Sequence, residues 1–216
     1  MRPPKPSPSF FHCQLPGDVL FELTNFAFDI HHEVTLTYTA LLSYFFAGHL
    51  EGNTPKFGVN IDGFSNPFDQ GVANNWATSA AEAAIMACWN YGECFRWRPR
   101  FSAGRTAECS QLDETLQKHS EMFQRDFPKI GVLRHAIAHR VELKSKTQRN
   151  AFRGAITRNK NISMEKGAIL FMSQCFEDDT YVVTRSGERL TFEMSSQNYM
   201  KLLAMYEKCM SDLAGH

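Results

Sequence analysis

The sequence predicts a mainly α-helical chain with a small β-meander just ahead of its last helix. Three observations carry this. Long stretches repeat apolar residues at steps of three, four and seven, the spacing of one helix face. An alanine-rich run, Ala77 to Ala87, lies inside the second such stretch and favours helix strongly. Only the C-terminal fifth holds short segments rich in β-branched residues and separated by turn residues.

Residues 1–17 carry four prolines in the first eight positions and read as an extended or disordered tail. From Asp18 to about His49, the residues Val19, Leu23, Phe26, Ile30, Val34, Leu41 and Phe45 mark a first helix. Residues 51–71, punctuated by Gly, Pro and Asn, read as a long loop. A second helix is expected from about Val72 to Arg96, closed by Pro99 and Gly104. A third fits Cys109 to about Arg125, with Ser110 and Asp113 as cap candidates. Pro128 breaks the chain before a fourth helix over about 129–147. Within the insert 168–194, strands are expected at Ala168–Met172, Thr180–Thr184 and Leu190–Met194, with turns at Asp178-Asp179 and Ser186-Gly187. Ser195 to Asp212 reads as a last amphipathic helix that buries Tyr199, Leu202, Leu203, Tyr206 and Met210.

The length, 216 residues, suits one domain over 18–216 with a real core. Lys+Arg and Asp+Glu balance at 23 each, so no global field steers the chain onto nucleic acid or an acidic membrane. The six cysteines are scattered with no C-x-x-C pair, which argues against a zinc knuckle or a disulfide framework and for reduced thiols. The N-terminus lacks an apolar signal core, and no run reaches the ~18 apolar residues of a membrane span, so a cytoplasmic protein without membrane contact is expected.

The most informative segment is Gly-Val-Leu-Arg134-His135-Ala-Ile-Ala-His139-Arg140. It sets an arginine and two histidines inside an apolar stretch, where polar side chains are costly unless they are used or paired. At about 100° per residue, Ile130, Leu133, Ile137 and Val141 form one apolar stripe. Arg134, His135, Ala138, His139 and Glu142 form a polar arc, with His135 and His139 side by side as an i, i+4 pair. A permanent guanidinium beside imidazoles that change charge near neutrality suits chemistry on phosphodiesters.

Arg134-His135-Ala-Ile-Ala-His139 resembles the signature of the HEPN superfamily: Arg, a polar residue, a short spacer, then His. Leu133 and the Ala-His-Arg ending resemble abortive-infection-type members; where the family often carries Asn after Arg, this chain has His135. The resemblance covers about ten residues; beyond them it extends only to a helical architecture with the motif on a late helix. It implies a HEPN-like bundle of four to five helices that forms a homodimer. It also implies a metal-independent endoribonuclease of a defence or toxin–antitoxin setting, or a non-catalytic dimerising and RNA-binding relative. On that reading His139 is acid and base, Arg134 stabilises the phosphate, and His135 orients. RNA is the substrate, an antitoxin protein is a possible partner, and no cofactor or metal is required.

Other residues enter as support. Arg140, Lys144 and Lys146 open a basic run to Lys160 that offers phosphate contacts within a neutral protein. Glu82, which stands amid alanines on the second helix, and Glu142 are candidates to support Arg134; Glu93 is nearly aligned with Glu82. His-x-x-x-His is also a metal spacing, but a third ligand would have to come from elsewhere, such as Glu142, Asp29 or His32. The cluster Asp29, His31, His32, Glu33 reads first as a solvated face, and Trp76, Trp89 and Trp97 as packing residues.

Overall fold

A computed structural model describes residues 1–6, 15–52, 67–98, 100–101, 106–139, 174–185 and 188–215. It is mainly helical, with a small antiparallel sheet before the last helix. In chain order the described elements are α1 (Gly17–Gly52), α2 (Pro67–Arg96), α3 (Ala107–Asp126), α4 (Ile130–Ala138), β1 (Gln174–Glu177), β2 (Thr180–Arg185), β3 (Glu188–Glu193) and α5 (Ser196–Leu213). Most of the expected loop 51–71, the expected strand Ala168–Met172, the turn Ser186-Gly187 and the whole basic run 144–160 lie outside the described residues. No helix among the described residues is long and apolar enough to cross a membrane.

The helices and strands differ from the expected bounds by a few residues at several places, and three of these differences have a local reason. Helix α2 starts at Pro67 rather than Val72. A proline suits the first helical position, where its fixed φ fits and no N–H is required. The N-cap position of α3 is Thr106, whose side chain makes no capping hydrogen bond, rather than Ser110 or Asp113. The Ser110 amide already donates to the Thr106 carbonyl, and the Asp113 carboxylate accepts the Phe101 N–H at 3.0 Å instead. The strand before the Asp178-Asp179 turn is Gln174–Glu177. Glu177 pairs with Thr180, so the turn holds two residues, and Asp178 takes φ 51°, a left-handed conformation that Asp tolerates better than most residues.

The chain packs as two compact units. The first comprises residues 1–38, 86–130 and 196–216. Its core takes Val19, Leu23, Phe26, Ile30 and Val34 from α1, and Cys88, Tyr91 and Phe95 from α2. Leu112, Leu116 and Phe123 come from α3, and Tyr199, Leu203, Tyr206 and Cys209 from α5. Aromatic edges lock it together: Phe26 meets Phe95 at 5.2 Å, Tyr91 meets Phe95 at 5.2 Å and Phe123 at 5.5 Å. Gly92 lets α2 approach α3, because a Cβ there would stand 2.2 Å from a ring carbon of Phe123. His119 of α3 is buried and hydrogen-bonds the Asp212 carboxylate of α5 at 2.9 Å.

The second unit comprises residues 39–85 and 131–195. Alanines on α2 (Ala80, Ala81, Ala84) and on α1 (Ala40, Ala47) are buried, as are Leu133 and Ala136 of α4. The sheet runs in the order β1-β2-β3, both pairs antiparallel. Three consecutive residues of the central strand, Tyr181, Val182 and Val183, are buried, so both of its faces are covered. Edge strand β3 alternates instead, with Leu190 and Phe192 buried. Tyr44 of α1 stacks on Phe176 at 5.2 Å and donates its hydroxyl to Asp179 at 3.0 Å, which holds the turn.

Candidate active site on helix α4

Helix α4 is short, and burial fixes its rotation. Ile130, Leu133 and Ala136 are buried, a spacing of three that places them on one face. Val132 and Ala138 are exposed. Arg134, His135 and His139 are half-buried, neither lost in the core nor fully solvated. Of the expected apolar stripe, Ile130 and Leu133 are buried and Ile137 is half-buried, while Val141 lies outside the described residues; Ala136 joins the buried face.

His139 lies one residue past the end of α4, yet its amide still donates to the His135 carbonyl at 3.1 Å, the helical i to i−4 bond. The backbone therefore holds the two histidines as a helical pair. Their rings approach to 4.2 Å between centroids and are tilted by 59°. Two imidazoles in contact, one residue away from a guanidinium, give a partly shielded set of donors and acceptors. Such a set can accept a proton, return one, and carry positive charge to an anionic group.

Glu82 is brought into the same unit and is half-buried. Its carboxylate accepts the hydroxyl of the buried Tyr181 at 3.0 Å, which ties α2 to the sheet. Arg140, Glu142, Lys144 and Lys146 lie outside the described residues. Glu93 belongs to the other unit, where it accepts the indole N–H of Trp97 at 2.7 Å.

The second polar cluster is divided among structural tasks. His31 shares a 2.9 Å hydrogen bond with the Tyr206 hydroxyl, and burial pushes its pKa below the usual histidine range. Glu33 takes a 3.4 Å bond from Asn90, and burial raises its carboxyl. Asp29 and His32 are exposed. Glu22, Asp29, Glu33 and Glu93 line a cleft of about 440 Å³ in the first unit, together with Trp97 and Arg98. Four carboxylates against one guanidinium make this cleft repel phosphates, so it is a poor nucleic-acid surface. Sequence reading missed the cleft, because its carboxylates come from two helices and only packing brings them together. Cys94, also on its wall, has its thiol pushed up to about 12 by burial and stays protonated, which removes it as a nucleophile. Cys88, Cys94, Cys109 and Cys209 are all free. Among the described residues, no three His, Cys, Asp or Glu side chains converge to hold a metal ion.

No family model, no curated protein and no solved structure matches this chain.

Proposed function

We propose that this chain is a HEPN-like, metal-independent endoribonuclease. The observation that carries the reading is the contact between the His135 and His139 rings beside Arg134 on one half-buried helix face. In the proposed reaction the imidazole of His139 removes the proton from a ribose 2′-hydroxyl. The 2′-oxygen attacks the adjacent phosphorus, and the bond to the 5′-oxygen breaks. A second imidazole protonates that leaving oxygen. The products are a 2′,3′-cyclic phosphate and a 5′-hydroxyl, with no net gain or loss of protons. Arg134 neutralises the charge that builds on the non-bridging oxygens, and His135 orients the substrate.

The second imidazole is His139 of another copy in a homodimer, the arrangement the family resemblance implies. Arg140, Lys144 and Lys146 supply phosphate contacts, and Glu82 and Glu142 support the basic groups. A cytoplasmic role in defence, held in check by an antitoxin protein, fits this chemistry. A second reading, a non-catalytic dimerising module, draws on large side chains left in solvent: Phe21 at 68%, Phe28 at 60% and Trp97 at 74% exposed.

The test is incubation of the purified chain with end-labelled single-stranded RNA in excess EDTA, beside His139→Ala and Arg134→Ala. Wild type should leave cyclic-phosphate ends. Each variant should lose at least about a hundredfold in rate, the usual contribution of an acid–base group or a charge stabiliser. Cleavage that survives both substitutions removes the proposal. So does a wild type that forms a stable dimer and cuts none of several RNAs.

A further inference from the structure

The proline-rich N-terminus is docked rather than free. In the first unit, the Arg2 carbonyl accepts the Tyr199 hydroxyl at 2.8 Å, and the Lys5 carbonyl accepts the Tyr206 hydroxyl at 3.0 Å. Pro4 is buried, while Arg2, Pro3, Lys5 and Pro6 stay exposed. The Arg2 guanidinium meets the Glu207 carboxylate at 2.7 Å. Tyr38 of α1 packs on Tyr199 at 5.4 Å between ring centroids, and His31 packs on Tyr206 at 5.6 Å.

The spacing explains the fit. Prolines at 3, 4 and 6 fix φ and push the residues before them toward extended backbone, which encodes a polyproline II segment. Carbonyls three residues apart then face the same way, about 9.3 Å apart. Tyr199 and Tyr206 are seven residues apart on α5, about 10.5 Å along the helix and on one side of it. Two hydroxyl donors thus match two main-chain acceptors one polyproline turn apart. Burial pushes both phenols up to about 12, so both remain protonated donors at neutral pH. The single Tyr206 proton goes to Lys5, so His31 must present N–H at Nδ1 to the phenolic oxygen.

We propose that this α1/α5 tyrosine surface is a recognition groove for basic proline-rich polypeptide segments, occupied by the chain's own N-terminus and able to take such a segment of a partner protein in its place. Its elements are those by which aromatic grooves read polyproline helices generally: hydroxyls to backbone carbonyls, one buried proline, and an acid for a flanking base. The hydroxyls read main chain, not the identity of this tail. One oxygen of Glu207, Oε1, is buried with no hydrogen-bond partner among the described residues, while Arg2 reaches the other. The tail's arginine therefore engages half of a carboxylate that a better-placed guanidinium would grip with both oxygens. The tail is held by one buried side chain, two neutral hydrogen bonds and an exposed ion pair, so it can be displaced.

The experiment titrates a fluorescein-labelled peptide, Met-Arg-Pro-Pro-Lys-Pro, into the full chain and follows anisotropy. It compares wild type with Pro4→Asp and, as a milder displacement at an exposed position, Arg2→Glu, each checked for native circular dichroism. A tethered tail competes at an effective concentration on the order of millimolar, so tail-displaced chains should bind the peptide at least about tenfold more tightly than wild type. Adding Tyr206→Phe to the displaced chain should weaken binding about fivefold, the weight of one hydrogen bond. Equal binding to intact and displaced chains, no binding to either displaced chain, or indifference to Tyr206→Phe would each overturn the proposal.

Discussion

Gly92→Ala measures how tightly α2 and α3 are packed, and opposing effects make its sign informative. In an exposed helix interior the substitution stabilises by up to about 1 kcal/mol, because alanine loses less backbone freedom than glycine. Here the added Cβ would stand 2.2, 2.7 and 2.9 Å from three carbons of the Phe123 ring. Carbon atoms in contact rest at about 3.5–4.0 Å, so the ring must retreat by more than 1 Å. It has no room to do so: Phe123 is 5% exposed, with Tyr91 at 5.5 Å and the stacked Phe127 at 5.3 Å. Overpacking of this kind costs about 1–3 kcal/mol, so the net loss should be about 1 kcal/mol. For a chain of this size that lowers Tm by about 2–4 °C. Phe123→Ala alone should cost about 3–5 kcal/mol, but it empties the space. In that background Gly92→Ala should become stabilising by up to about 1 kcal/mol, a reversal of sign that a double-mutant cycle in urea reads directly. If Gly92→Ala raises the stability of the otherwise wild-type chain, the close approach at Gly92 is wrong.

Acidification should weaken the first unit through His119. Burial holds its folded pKa below the ordinary histidine value of about 6.5, with Asp212 offsetting only part of that. The unfolded chain therefore binds more protons, and stability present above about pH 6.5 is lost as pH falls through the folded value. Denaturation at pH 7.5 and 5.5 should show this loss, and His119→Gln should reduce it, leaving the part that His31, also lowered by burial, contributes; an equal slope in that variant refutes the assignment. In the second unit, Tyr181→Phe removes the hydroxyl that Glu82 accepts at 3.0 Å. It should cost about 1.5–3 kcal/mol, the range for a bond to a charged group. A Tm unchanged within 1 °C (roughly, at about 2–4 °C per kcal/mol) would show that Glu82 is satisfied elsewhere.

How much of the fold was legible turns on whether local pattern or long-range packing decides each element. The helices were readable where apolar residues recur on one face: Val19, Leu23, Phe26 and Ile30 are all buried on α1 as their spacing requires. The Asp178-Asp179 turn was readable from residue type, and it fixes the register of β1 against β2. Residue type does not single out Gln174–Glu177 as a strand, and the expected strand Ala168–Met172 lies outside the described residues. Only the two-residue turn, counted backwards, selects Gln174–Glu177. The α3 cap was missed for a related reason: Ser110 and Asp113 are good capping residues in isolation, but a capping residue matters only at the position where the helix begins.

The candidate site divides along the same line. That His135 and His139 would sit side by side follows from helical geometry alone, and their rings are in contact. Sequence spacing gives no access to which carboxylate each partner meets, and Glu82 shows why. Its bond comes from Tyr181, 99 residues along the chain and on a strand, where only tertiary packing could bring it. The N-terminus makes the same case from the other side. Four prolines in eight residues read as an extended or disordered tail. Yet the signal for docking was present in two periodicities that have to be set against each other. Carbonyls repeat every three residues along polyproline, and tyrosines repeat every seven along α5. Neither alone implies a contact. Together they place two acceptors and two donors about 10 Å apart, and a chain that folds α5 against α1 gains a cradle for its own proline segment.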